Sequence, residues 1–213
     1  MRWYALWSCT DETTRAGTFF CPQEGTASSL HGIGQTIARG DGIWNAGNAA
    51  WLNQGCDLPM VWAGNHFIFK NQPGGFDGGV VTVEDTQSFK GLQFIDQGYR
   101  LQGIGRLETV AGGSESSVSA NSARIAAGIT GAGGITKTGT GTLALSGDNI
   151  YEGGTTLAAG VLSISSDANL GHADGGLTFA GGALATTADM SSDRAVMFNT
   201  YGHCAVVQTE EGS

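Results

Sequence analysis

Apolar and polar residues alternate in short segments along most of the chain after residue 74. Each segment is bounded by glycine, asparagine, aspartate or other turn-forming residues. Alternation with a period of two is the pattern of a half-buried β-strand, and glycine supplies the positive φ that tight turns require. The predicted strands are VVTV (80–83), LQFI (92–95), YRLQ (99–102), RLET (106–109), TLAL (142–145), GVLSIS (160–165) and LTFA (177–180), with a weaker pattern in ALATT (183–187) and RAVMF (194–198).

The leucines of these segments recur with a spacing of roughly 20 residues. Leu143 and Leu162 are 19 residues apart, Leu157 and Leu177 are 20 apart, and Leu162 and Leu184 are 22 apart. A period of this length is typical of a solenoid, in which each coil buries its apolar stripe against the next coil. The spacing therefore favours stacked coils over a closed barrel or a sandwich.

Two features of the sequence are compatible with other structures. The segments SANSARIAAGI (119–129) and TADMSSDRAVMF (187–198) could each form a turn or two of helix, whereas glycine interrupts nearly every other window of helical length. Asp-Gly, which is common in hairpin turns, occurs at 41–42, 77–78 and 174–175, so a β-sandwich stays open as an alternative. We predict an all-β fold with very little helix.

Charge and hydropathy exclude several classes of function. The net charge is −9, and the ten Lys and Arg residues are scattered singly, so no basic stripe is available to neutralise a phosphate backbone. Nucleic acid is therefore not an expected partner. No window approaches eighteen consecutive apolar residues, and the apolar patch near the amino terminus is too short for a signal-peptide core. We expect neither a membrane span nor an export signal in these residues.

Motifs that carry chemistry are sparse. The glycine-rich GTGTLA (139–144) is not followed by the helix that a dinucleotide site requires. The four cysteines contain no CxxC pair and could form disulfides in three ways in an oxidising compartment, so their pairing stays open; they are Cys9, Cys21, Cys56 and Cys204. We assign no catalytic, cofactor-binding or metal-binding residue and expect no cofactor.

Two groups of residues could contact a carbohydrate. Acidic residues recur in the first predicted coils, where a converging pair could act as general acid and base, although solvated outer-face charge is the simpler interpretation. Three tryptophans near the start of the pattern could stack on sugars, but capping the open end of a solenoid is favoured. The acidic residues are Asp77, Glu84, Asp85 and Asp96, with Lys90 and Arg100 near them, and the tryptophans are Trp44, Trp51 and Trp62.

The stretch GGITKTGTGTLALSGDNIYEGGTTLAAGVLSI (133–164) resembles the autotransporter-associated β-strand repeat, which is found in passenger regions of Gram-negative autotransporters. The pattern K-T-G-x-G-T-L-x-L-S-G, then N-x-Y-x-G-G-T-x-L, then G-x-L is matched throughout. The matching residues are Gly139, Gly141, Leu143, Leu145, Gly147, Asn149, Tyr151, Gly153, Gly154, Thr155, Gly160 and Leu162. Flanking segments extend the similarity over roughly 42–208, whereas the first forty residues do not fit the family pattern.

The resemblance implies a right-handed parallel β-helix that is exported and displayed at the cell surface, in the outer membrane or released. We expect an irregular leader at 1–41, a cap or first coil at 42–73, β-helix coils at 74–208 and a tail at 209–213. The implied function is structural and non-enzymatic, supporting adhesion and export, with a host surface or a carbohydrate as partner and a C-terminal translocator β-barrel in a longer protein. A carbohydrate-active β-helix enzyme, either a polysaccharide lyase or a hydrolase, is the alternative.

Overall fold

The computed structural model describes residues 18–20, 41–45, 51–52, 59–60, 66–69, 78–119, 122–199 and 206–209. Within these ranges the chain forms 21 short strands and one 3₁₀ helix, Asp167–Leu170. The strands are β1 Thr18–Phe20, β2 Gly42–Trp44, β3 Trp51–Leu52, β4 Pro59–Met60, β5 His66–Phe69, β6 Gly79–Val83, β7 Gln87–Phe89, β8 Gly91–Phe94, β9 Tyr99–Gln102, β10 Arg106–Thr109, β11 Ser114–Val118, β12 Ser122–Ile125, β13 Gly128–Thr130, β14 Ile135–Thr138, β15 Thr142–Leu145, β16 Thr155–Leu157, β17 Val161–Ile164, β18 Leu177–Phe179, β19 Ala183–Thr186, β20 Val196–Phe198 and β21 Val206–Thr209.

The strands stack into a parallel β-solenoid of about six turns. Sheet A has the order β20-β18-β16-β14-β11-β8-β5-β1-β3-β4, sheet B has the order β2-β6-β9-β12-β15-β17-β19-β21, and the short sheet C contains β13-β10-β7. Each coil contributes one strand to sheet A and one to sheet B, and the earlier coils add a strand to sheet C. Antiparallel pairing in the described chain is confined to β1 with β3 and β3 with β4. The predicted all-β solenoid is confirmed, and the sandwich alternative is wrong.

The register of the strands places the leucines of successive coils on top of one another. Leu143 pairs with Leu162, and Leu162 pairs with Leu184, as their spacing predicts. Leu157 instead pairs with Phe179, because the extra residues around the 3₁₀ helix lengthen that coil. These side chains belong to one continuous apolar core that runs the length of the solenoid.

Aromatic rings fill the core at the amino-terminal coils. Phe69 stacks on Phe94 with ring centroids 4.6 Å apart, and the ring of Trp44 meets the ring of Phe67 edge-on at 3.9 Å. Trp44, Phe67, Phe69 and Phe94 are fully buried. Large aromatic side chains supply more apolar area per residue than leucine, so these coils need fewer apolar positions to form a core.

Neither segment with helical potential forms a helix in its described residues. The segment 119–129 contains β12 and the start of β13, and the segment 187–198 ends in β20. Burial explains the first outcome, because Ala123 and Ile125 of β12 point into the core at alternate positions while Ser122 and Arg124 face outward. Tertiary packing therefore overrides the local helical propensity.

Glycines allow neighbouring coils to approach closely at the corners. Gly139 has φ of 72°, and a β-carbon there would lie 2.5 Å from the carbonyl oxygen of Val118 in the preceding coil. Only glycine satisfies both the left-handed backbone and the short separation. Across the described residues no helix has the length and apolar character to span a membrane.

Candidate functional site

The structure does not gather the predicted acidic residues into a cleft. Glu84 and Asp85 lie exposed in the turn that leaves β6, whereas Asp96 lies half-buried in the turn that leaves β8. These turns form different corners of the coil, one between sheets B and C and the other between sheets A and B. The Glu84 carboxylate accepts a hydrogen bond of 2.7 Å from the Asn45 side chain. Asp77 lies outside the described residues. Asp96 is therefore separated from Glu84 and Asp85, and these three carboxylates do not converge on one cleft.

Of the three tryptophans, only the side chain of Trp44 is described, and none of the four cysteines is. Trp44 is fully buried against Phe67, which leaves no exposed ring face on which a sugar could stack. The side chains of Trp51 and Trp62 lie outside the described structure, as do all four cysteines. Among the described residues no group of three or more His, Cys, Asp or Glu side chains could hold a metal ion.

A groove of about 800 Å³ crosses the outer face of sheet A and is the candidate functional site. We call it the sheet A groove. Its described lining comes from β5, from the turn before β8, from the turn before β11, and from β11 and β14. The lining residues are His66, Lys90, Gly112, Gly113, Ser114, Glu115, Thr136 and Thr138.

Strand register explains how residues so far apart in sequence line one groove. His66 of β5 pairs with Gly91 of β8, Gly91 pairs with Glu115 of β11, and Glu115 pairs with Thr136 of β14. Parallel strands are about 4.8 Å apart, so this row of four positions crosses the sheet at regular intervals. The imidazole of His66 lies over Gly91, since a β-carbon at Gly91 would collide with it.

The two sides of the sheet A groove differ in charge. His66 and Lys90 lie on the β5 and β8 side, where they supply basic groups. Glu115 lies on the other side, where the hydroxyl of Thr138 donates a 2.8 Å hydrogen bond to Glu115 Oε1. Thr136 adds a half-buried hydroxyl beside Glu115. The groove therefore presents a cation, an imidazole, a carboxylate and hydroxyls across four strands. The sequence had indicated only Lys90, as a neighbour of the acidic residues.

Buried polar side chains bond neighbouring coils from inside. Lys137 is fully buried, and its Nζ donates hydrogen bonds to the carbonyl oxygens of Thr138, Gly139 and Ala159 at 2.6, 2.9 and 3.1 Å. Removal from water lowers the pKa of Lys137 to about 8. Because Ala159 belongs to the following coil, this lysine joins two corners.

Two asparagines make similar bonds at another corner. Asn149 accepts the amide N–H of Ile129 at 2.8 Å and donates to the carbonyl oxygen of Asn169 at 2.6 Å. Asn169 in turn donates to the carbonyl oxygen of Gly147 at 3.0 Å and accepts the amide N–H groups of Ser165 and Ser166. These bonds satisfy backbone groups that the missing strand of sheet C leaves unpaired.

Arg194 closes the turn around the 3₁₀ helix. Its Nε donates to Asp167 at 2.8 Å, and its two terminal nitrogens donate to the carbonyl oxygens of Asp167, Leu170, Gly171, His172 and Gly175. The hydrogen bond from Arg194 holds the pKa of Asp167 below its usual value. A buried guanidinium with this many acceptors is a structural group and does not face a ligand.

A family model, the passenger-associated transport repeat, matches residues 135–164. The adhesin BmaC autotransporter of Brucella suis biovar 1 (strain 1330) is 35% identical over 183 residues, which cover 78% of this chain. The chain belongs to the autotransporter passengers that carry this repeat. It spans about 5% of the length of the relative it matches. No solved structure shows significant similarity to the chain.

The passenger repeat contains polar residues that are buried. Lys137 and Asn149 lie within the matched residues and bond neighbouring coils, as described above. Tyr151 is also buried there, and its hydroxyl shares a 2.6 Å hydrogen bond with Thr155 Oγ1. Burial raises the pKa of Tyr151 to about 12. The buried polar residues Lys137, Asn149 and Tyr151 of this passenger repeat therefore stabilise the stacking of coils and do not face the surface.

Proposed function

We propose that the chain is a structural β-helix segment of an autotransporter adhesin passenger, which supports adhesion while its coils assist outer-membrane export. The main support is the parallel solenoid together with its 35% identity to an adhesin autotransporter. Each coil buries apolar surface against the preceding coil, so folding can proceed coil by coil as the chain emerges outside the cell. A C-terminal translocator and a location at the cell surface belong to this proposal, as do the four sequence divisions drawn above.

The similarity to an adhesin favours a non-enzymatic role. The enzyme alternative requires a pair of carboxyl groups that converge on one substrate bond. Asp96 lies at a different corner of the coil from Glu84 and Asp85, so these three carboxylates do not converge. We therefore propose no catalytic activity for this segment.

The test is to place the chain between a signal peptide and a translocator barrel in a non-adherent Gram-negative host. Surface display is measured by antibody binding to intact cells and by protease shaving, and adhesion is measured by bacterial counts on cultured epithelial cells. We expect display with several-fold more adherent bacteria than for the barrel alone. The variant Leu162→Asp, which disrupts a core position, should reduce both readouts.

Two results would contradict separate parts of the proposal. Failure of the wild-type segment to reach the surface would refute its role in export. Display at normal levels without any gain in adherence would refute its role in adhesion and leave the export role standing.

A further inference from the structure

We propose that the sheet A groove binds an oligosaccharide that carries carboxylate groups. This proposal names a ligand class for the adhesion proposed above and rests on that function. It concerns the outer face of β5, β8, β11 and β14 and does not involve the buried polar residues of the passenger repeat.

The dimensions of the sheet A groove suit an extended ligand. Its volume of about 800 Å³ lies within the range of small-molecule sites, which is roughly 300 to 1,000 Å³. The row from His66 through Gly91 and Glu115 to Thr136 follows the stacking direction of the coils. A saccharide lying along this row would meet a new strand about every 4.8 Å, a distance similar to the length of one sugar ring.

Glycines shape the floor and the mouth of the groove. Gly91 is buried, and its lack of a side chain makes room for the imidazole of His66, which any β-carbon there would displace. At the end of the groove, Gly112 and Gly113 adopt positive φ angles of 91° and 94°. A β-carbon on Gly112 would meet no atom within 4 Å, so the turn leaves this entrance free.

The lining chemistry favours a polyol over an apolar ligand. The described lining consists of two basic side chains, one carboxylate, three hydroxyl residues and two glycines, and it contains no Phe, Tyr, Trp or aliphatic side chain. An apolar ligand would find little apolar surface to bury against there. Sugar hydroxyls, by contrast, can both donate hydrogen bonds to Glu115 and accept them from threonine hydroxyls. Glu115 is already oriented by the 2.8 Å hydrogen bond from Thr138.

The basic side of the groove favours a ligand with carboxylates. Lys90 and His66 both line the groove, with the imidazole of His66 over Gly91 and Lys90 next to Gly91 along the chain, so a carboxylate at this end of the groove would meet both basic side chains. The whole chain has a net charge of −9, which repels a densely charged polyanion at long range. A saccharide that alternates acidic and neutral rings fits this combination, because one carboxylate meets Lys90 while the neighbouring neutral ring meets Glu115 and Thr136.

The experiment titrates the folded chain with a hyaluronan hexasaccharide, in which glucuronate alternates with N-acetylglucosamine, and follows binding by calorimetry and by NMR. A carboxyl-reduced hexasaccharide of the same length serves as the neutral probe. We expect the acidic probe to bind at least tenfold more tightly than the neutral probe, with affinity that falls as salt is added. The variant Lys90→Ala should weaken binding of the acidic probe about tenfold.

The matched control is Arg100→Ala. Arg100 is an exposed cation on β9 of sheet B, so its removal changes the net charge equally on a different face. Unchanged affinity in this variant, with loss in Lys90→Ala and equal melting temperatures for both, supports the sheet A groove as the site. Equal loss in both variants would overturn it, because binding would then reflect net charge alone.

Two other results would overturn this proposal and leave the proposed role in adhesion intact. Equal affinity for the acidic and neutral probes would remove the role of the carboxylate. A displayed Lys90→Ala passenger that adheres to cells as well as wild type would show that adhesion stands and that the sheet A groove does not serve it. Loss of adherence with normal display would support the groove.

Discussion

At the scale of single residues, the buried lysine of the repeat is the most unusual group in the described chain. Lys137 occupies an inward position of β14 where an apolar residue would ordinarily pack. Burying an ammonium is costly unless its donors are bonded, and three carbonyl oxygens of two coils bond this one. The three hydrogen bonds therefore offset the desolvation cost of the lysine and fix the geometry of the corner.

The lowered pKa of Lys137 predicts a pH dependence of stability. Between its folded pKa of about 8 and its ordinary value of about 10.5, the unfolded chain binds more protons than the folded chain, so stability rises with pH in this window. The rise cannot exceed about 1.4 kcal/mol per pH unit for one group. Urea unfolding at pH 7.5 to 10 should show this rise in wild type.

The variant Lys137→Met provides the comparison, since it keeps the length of the side chain and removes the proton. Its free energy of unfolding should lack the rise between pH 8 and pH 10. Burial raises the pKa values of Tyr99 and Tyr151, which makes stability fall above pH 10, but these groups are common to both proteins and cancel in the difference. If the free energies of unfolding of the two proteins changed in parallel with pH, the pKa of Lys137 would not be lowered in the folded chain.

At the scale of strands, the alternation of inward and outward positions fixes the consequences of substitution. Leu143 faces the core between Ala123 and Leu162, whereas the adjacent Ala144 faces outward between Arg124 and Ser163. Leu143→Asp should lower the free energy of unfolding by about 3 to 5 kcal/mol, because it buries an unpaired carboxylate in an apolar layer. Thermal melting followed by circular dichroism at the strand minimum measures the loss.

Ala144→Asp is the matched control on the same strand. Its carboxylate would lie in water beside the guanidinium of Arg124, so the change in stability should stay within about 0.5 kcal/mol. Similar losses in the two variants would indicate that β15 does not present Leu143 to the core in solution.

The same alternation determines how much of the fold could be predicted from the sequence. The bounds of β9, β10 and β15 were predicted to the residue, because apolar residues occupy all of their inward positions except Thr109 of β10. Strands β11 and β14 were missed as separate strands, since serines and Lys137 occupy inward positions that give no apolar alternation. The sheet A groove was missed for a different reason. It depends on register between strands that lie 20 or more residues apart, and a single sequence does not display that register.

At the scale of the whole molecule, each coil is stabilised by the coils on either side of it. Strands β14 and β15 have a parallel neighbour on both sides, and the buried bonds of Lys137 and Asn149 also cross between coils. At the other extreme, β20 is an edge strand of sheet A in the described chain, and Val196, Met197 and Phe198 are 50, 65 and 57% exposed. Stability in a solenoid is close to a sum of coil and interface terms, so it should fall toward this edge.

Native-state hydrogen exchange with mass spectrometry resolves this gradient. Amides of residues 135–145 should exchange at least a hundredfold more slowly than amides of residues 196–198, because opening the central coils breaks two interfaces and opening β20 breaks one. In Leu162→Asp the amides of residues 135–145 should lose most of their protection against exchange. The amino-terminal coils around Phe69 and Phe94 should keep more of their protection, because their own aromatic stack stabilises them. Uniform protection from β8 to β20 would contradict this gradient and would instead mean that the solenoid unfolds as one cooperative unit.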